Sequence, residues 1–275
     1  MTALPTSSDP TISKGMPCSF HNLIEIYIDW TNDITVIPFN VLLQLEKLQK
    51  ITIKGPCDGI KEVFEGVGSE ETNNSGFNAS QSAVQIPNLR HVNLEDVPNI
   101  KYLWKSNQWM VLEFPNLTTV HISSCNKLEH VFTCSMVGSL VQLQDLHIVK
   151  CENIQVIVKE EEESDAKMNE IILPRLKSLK LSKLQSLKGF CLGKDAFSLP
   201  TLETLQIEEC PAITVFTKGH VSTSELKVIH TYYGIYYVKT NINSTIKTKQ
   251  EEVPIYILFI LKRAHYMKAT FIIFF

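Results

Sequence analysis

The sequence predicts an α/β solenoid of stacked short repeats, and three observations point to it. An apolar template, L-x-x-(L/V/I)-x-(L/I), begins at Leu23, Leu48, Leu89, Leu117, Leu143, Leu176 and Leu202, with a degenerate copy at Leu226. With two long gaps set aside, the copies follow at a period of about 25 residues, within the range of leucine-rich repeats. Inside each copy apolar and polar residues alternate, the two-residue period of a strand with one buried face. No single unit can bury its apolar side alone, so units must stack. Seven to eight irregular repeats are expected, with parallel strands about 4.8 Å apart on a concave face and an irregular or short-helical convex side.

The elements follow in order along the chain. Residues 1–17 are rich in Pro, Ser and Thr and are expected to form a flexible linker. They carry no recognisable polar cap, and an uncovered first strand invites association, so the chain is expected to be the back end of a longer array. The repeat domain is expected over 18–238, opening with Leu23–Ile28 and Leu48–Ile53. Cys57 follows the second strand one residue late, after an additional Gly55. Residues 65–85, rich in Gly, Ser and Asn, are expected as a looped insertion. Leu89, Leu117, Leu143, Leu176 and Leu202 then open units whose pattern continues past the strand. Eight residues on comes Val97, Cys125, Cys151, Leu184 or Cys210, and eleven on comes Ile100, Leu128, Ile154, Leu187 or Ile213. Four units also begin with a proline, Pro87, Pro115, Pro174 or Pro200. A second insertion, 159–170, carries Glu160–Glu163. After Tyr232-Tyr233-Gly234 the pattern stops, and 239–275 is expected to be a poorly ordered, non-repeat tail.

Composition narrows the function. The 275 residues are 44% hydrophobic and 20% charged, with a net charge of −3. These are ordinary globular values that exclude wholesale disorder. The near-neutral balance leaves no electrostatic footprint for nucleic acid or an anionic membrane. No apolar run reaches the roughly 18 residues of a membrane helix. The N-terminus lacks a basic segment followed by an apolar core, so no secretory signal is read, and a cytoplasmic or nuclear location is expected. Seven cysteines without a C-x-x-C pair argue against both a disulfide framework and a zinc ribbon.

Several features could carry chemistry, and each has a plainer reading. Cys57, Cys125, Cys151 and Cys210 share one column with Val97 and Leu184, so that position wants a small apolar body with a weak S–H donor for the turn. His121 and His147 hold the same strand position in adjacent units and are expected side by side on the exposed face. A metal there lacks an obvious third ligand, and a recognition surface is the better reading. The acidic run 160–165 lacks the spacing of a calcium loop and is expected as a solvated loop. The sequons at Asn73, Asn78, Asn116 and Asn243 are taken as incidental. No nucleotide-binding, hydrolase, zincin or kinase motif is present, so neither an enzyme nor a cofactor or metal site is expected.

The alternation places Leu146 inward and His147 outward, and the same arithmetic defines a recognition stripe. It comprises Glu25, Tyr27, Lys50, Thr52, His91, Asn93, Thr119, His121, Asp145, His147, Ser178, Lys180, Thr204 and Gln206. Mixed polar, imidazole and aromatic groups suit a protein partner better than a phosphate backbone. Trp104 and Trp109 could be an interaction hot spot or packing, and the sequence leaves the two open.

With the repeat in hand, Phe114-Pro115-Asn116-Leu117-Thr118-Thr119-Val120-His121-Ile122, with Cys125 and Leu128-Glu129-His130-Val131-Phe132, resembles the C-terminal repeats of plant intracellular immune receptors. So do Ser139–Ile148 before Cys151, Leu192-Gly193-Lys194 and Ile207-Glu208-Glu209-Cys210-Pro211. The likeness is to the coiled-coil, nucleotide-binding, leucine-rich-repeat disease-resistance class and covers about 16–234. It implies recognition of a pathogen effector or a host protein that one alters, and restraint of a nucleotide-binding switch in cis or in trans. The coiled-coil and P-loop segments are absent from this sequence, so ATP binding does not carry over. The competing readings are the substrate-recognition repeats of a ubiquitin ligase, and a truncated decoy or relic. An extracellular receptor and an enzyme hidden in the insertions fit less well.

Overall fold

A computed structural model describes residues 20–30, 41, 44–64, 82–104, 110–160, 170–232, 234–238 and 241–246. The linker 1–17, most of both insertions, Trp109, Asn73 and Asn78 lie outside the described residues. Each template copy forms a short strand: Glu25–Asp29, Lys50–Lys54, His91–Glu95, Thr119–Ser123, Asp145–Val149, Ser178–Ser182, Thr204–Glu208 and Val228–Thr231. These eight lie side by side in parallel, in chain order. Six of them have a parallel neighbour on both sides, which makes six fully stacked turns with a partial unit at either end.

Pairing is strictly in register, because equivalent template residues oppose one another. His147 faces His121 on one side and Lys180 on the other, and Leu146 lies between Val120 and Leu179. A one-residue slip would turn every apolar residue outward, so the alternation itself fixes the register. The inward residues are fully buried: Ile51, Val92, Val120, Leu146, Leu179 and Leu205 at one level, and Ile53, Leu94, Ile122, Ile148, Leu181 and Ile207 at the next. Each such side chain contributes about 2 kcal/mol by leaving water.

The turn after each strand has a backbone signature. Trp30, Gly55, Asp96, Ser124, Lys150, Lys183 and Glu209 all have positive φ, between 49° and 80°. Each lies seven residues after its opening leucine. The left-handed residue turns the chain sharply, and its N–H donates to the last strand carbonyl of the next unit. Trp30 donates to Lys54, Gly55 to Glu95, Asp96 to Ser123, Ser124 to Val149, Lys150 to Ser182 and Lys183 to Glu208. Gly55 is therefore in phase, and the additional residue in that turn is Pro56. Cys57 still reaches the core, where its Sγ–H points to the Lys54 carbonyl at 3.4 Å. A Cβ on Gly55 would come within 2.9 Å of the Trp30 ring, so both φ and space call for glycine there.

The opposite side is made of short strands more than helix. Phe132–Thr133, Val156–Lys159 and Gly189–Cys191 pair in parallel, as do Glu170–Ile172, Ala196–Ser198 and Val221–Ser222. Glu62–Phe64 pairs with Tyr102–Trp104, and Ser82–Gln85 pairs with Met110–Glu113. The insertion expected over 65–85 thus ends in a strand. Cys134–Val137 is a single helical turn. A phenylalanine spine fills the space beneath, with Phe190 stacked on Phe216 at 5.0 Å and edge-on to Phe197 at 5.6 Å.

The far end is closed, which the pattern did not anticipate. Gly234–Tyr237 folds back antiparallel on Val228–Thr231 and covers the edge of the large sheet. Residues 241–246 then pack against the array with Ile242 and Ile246 buried. These six residues are the described part of the stretch expected as a non-repeat tail; 239–240 and 247–275 lie outside the described residues. Two isoleucines four apart fall on one face of a helical turn, and the open end of the core offers them an apolar surface.

Candidate functional site

The strand face presents two columns of side chains. The first runs Glu25, Lys50, His91, Thr119, Asp145, Ser178 and Thr204. The second runs Tyr27, Thr52, Asn93, His121, His147, Lys180 and Gln206. Glu25, Tyr27, Lys50, His91 and His121 are exposed, and Asn93, Thr119, Asp145, His147, Ser178, Lys180, Thr204 and Gln206 are half-buried. Thr52 departs from the expectation: it is buried, with 3% of its surface accessible, and its hydroxyl has no hydrogen-bond partner. Its register neighbours are Tyr27 and Asn93. A short side chain between two longer ones is shaded from solvent even on an outward position.

At the centre the imidazoles of His121 and His147 stack, with centroids 4.5 Å apart and planes 2° from parallel. That separation is the strand spacing transmitted to the side chains. His147 Nε2 also shares a 3.0 Å hydrogen bond with Ser178 Oγ. Burial holds the His147 pKa below its ordinary value, helped by His121 and Lys180 and opposed by Asp145. His91 is lowered in the same way by burial, then by Lys50, Arg90 and His121. His91 and His147 therefore favour their neutral forms. Toward the first strand, Lys50 pairs with Glu25 at 2.8 Å and Lys54 with Glu95 at 3.2 Å. These exposed pairs add little stability.

The other chemistry-bearing residues turn out to be structural. Cys57, Cys125, Cys151 and Cys210 are buried free thiols whose sulfurs point to turn carbonyls at 3.3–3.5 Å. Contact with Cys151 and burial push the Cys125 thiol well up, away from the reactive thiolate. Trp104 is buried against Phe114 at 4.3 Å and Phe132 at 5.6 Å, which decides for packing. Asn116 donates from its amide to the Pro87 carbonyl at 2.6 Å, linking two units. Asn243 is bound to Phe216 and Thr217. Among the described residues no cluster of three or more His, Cys, Asp or Glu could hold a metal ion. No helix among them is long and apolar enough to cross a membrane.

Comparison with known proteins agrees with this architecture. The family model for plant disease resistance protein RPS2-like leucine-rich repeats matches residues 11–152, about half of the chain. The chain belongs to this family. The probable disease resistance protein At4g27220 of Arabidopsis thaliana is 27% identical over 129 residues, which is 46% of this chain and 14% of that protein. The chain thus corresponds to a small part of its curated relative. No solved structure matches it. The resistance-protein repeats continue past the matched span, since the strands Ser178–Ser182, Thr204–Glu208 and Val228–Thr231 extend the same sheet in the same register.

Proposed function

We propose that this chain is a non-catalytic recognition module of plant immunity whose strand face binds a protein. The partner is a pathogen effector or a host protein altered by one, and the module also contacts a nucleotide-binding switch domain, in the cytoplasm or nucleus. The observation that carries this reading is the construction of the face. Seven consecutive strands place two columns of mixed polar, imidazole and aromatic groups over a layer of apolar inward side chains. Such a surface is broad, rigid and chemically varied, which suits a protein epitope.

The reading is tested by proximity labelling in leaf cells. The full chain is compared with a face variant, Tyr27→Ala/His121→Ala/His147→Ala, and with an opposite-side control, Gln155→Ala/Lys188→Ala. Proteins labelled by wild type and control but lost from the face variant are the expected result. Identical labelling by all three, with unchanged thermal melts, would overturn the proposal.

A further inference from the structure

Two cysteines outside the turn column meet on the side opposite the strand face. Cys191 ends the strand Gly189–Cys191, and Cys134 opens the single helical turn that follows Phe132–Thr133. Both short strands pair with Val156–Lys159, where Val158 lies between Phe132 and Cys191. The helical turn packs against Val156–Lys159 too, which brings Cys134 over toward Cys191. The Cys134 S–H donates to Cys191 Sγ, and the Gly193 N–H donates to the same sulfur at 3.4 Å. The hydrogen bond from Cys134, supported by the one from Gly193, holds the Cys191 thiol below its ordinary pKa, against burial and the Glu160 and Asp195 carboxylates. Both thiols are free. Cys191 is fully buried, whereas Cys134 is half-buried, so solvent reaches it. The other contacting pair, Cys125 and Cys151, is buried at both residues and offers no such approach.

We propose that Cys134 and Cys191 form a redox modification site, in which hydrogen peroxide converts the two contacting thiols to a disulfide. Cys134 Sγ takes one peroxide oxygen. The O–O bond breaks, and the leaving hydroxide takes the thiol proton and departs as water, which leaves a sulfenic acid on Cys134. Cys191 Sγ then attacks the Cys134 sulfur. The S–S bond forms, the S–O bond breaks, and the second hydroxide leaves as water with the Cys191 proton. The pair gives up two electrons and two protons, and peroxide is reduced to two waters. A donated hydrogen bond at Cys191 favours its thiolate, the form that makes this attack. The bond ties the unit that begins at Leu117 to the unit that begins at Leu176, across the intervening one. It does so away from the recognition face, so it is independent of the protein-binding role proposed above.

The test uses the full chain, reduced, freed of reductant, treated with hydrogen peroxide, alkylated and digested for mass spectrometry. A peptide joining Cys134 to Cys191, cleaved by dithiothreitol, is expected to exceed every other crosslink by about tenfold. The same treatment of the urea-unfolded chain is expected to remove that preference, because the fold no longer holds the sulfurs together. In Cys191→Ala, with its fold checked by circular dichroism, dimedone is expected to capture the sulfenic acid on Cys134. Recovery of both cysteines as free thiols from the folded wild-type chain would overturn the proposal. So would over-oxidation of Cys134 to sulfinic acid without a crosslink, or a Cys134–Cys191 crosslink that forms as readily in urea.

Discussion

Asn243 closes the free end of the array by gripping Thr217 from both directions. Its side-chain carbonyl accepts the Thr217 N–H at 3.3 Å and the Phe216 N–H at 2.7 Å, and its amide donates to the Thr217 carbonyl at 2.8 Å. In an interior unit the next repeat would satisfy those groups, as Phe216 itself does for Phe190 and Cys191. One side chain from outside the repeat therefore stands in for a missing turn. Asn243→Ala should lower stability by about 2 kcal/mol, because it strands backbone groups of the buried residues Phe216 and Thr217. Asn243→Asp should recover part of the loss through its acceptor oxygens. Urea unfolding midpoints of the three proteins check this; equal midpoints would mean that the contact adds nothing.

Leu146 and His147 are neighbours in sequence with opposite environments. Leu146 is fully buried in the stack, whereas His147 is half-buried on the outer face. Leu146→Asp should cost several kcal/mol and prevent cooperative melting, since an unpaired carboxylate enters the core. His147→Ala should cost no more than about 1 kcal/mol, the value of its hydrogen bond to Ser178. Thermal denaturation followed by circular dichroism separates the two.

The left-handed turn residue is lysine in the unit that begins at Leu143, with φ of 55° at Lys150. Lys150→Gly should raise stability by up to about 1 kcal/mol, by removing the Cβ penalty against a smaller loss of unfolded-state entropy. Lys150→Ile should lower it by about 1 kcal/mol or more, because a β-branched side chain tolerates this conformation worst. Chemical denaturation of both variants should show opposite signs.

His130 packs against Tyr102 at 5.5 Å and is 7% exposed. Burial, with a smaller push from Lys159, drives its pKa down to about 4, against the pull of Glu129. Below about pH 6.5 the unfolded chain binds a proton here that the folded chain does not. The stability this neutral ring confers is complete above that pH. It falls as pH drops toward 4, by at most about 3 kcal/mol. His130→Gln should flatten this part of the profile. Unfolding midpoints measured from neutral pH down to about pH 4.5 would reject the assignment if wild type and variant ran parallel.

The sequence by itself determined the repeat, the strand positions, the register and the inward or outward sense of most residues from Leu23 to Leu226. It could do so because a two-residue alternation is a local property, and a parallel stack copies it from unit to unit. It also read the cysteine column as small apolar bodies, and Cys57, Cys125, Cys151 and Cys210 are buried. The tertiary structure alone decided the rest. Trp30, Gly55, Asp96, Ser124, Lys150 and Lys183 share a left-handed backbone without sharing a residue type, because the requirement comes from a hydrogen bond to the next unit. Thr52 is shaded by longer neighbours on other strands. Trp104 is fixed as core by Phe114 and Phe132, and Asn243 as a cap by Thr217. Each of these depends on distances between residues far apart in the chain, and pattern along the chain carries no such distances.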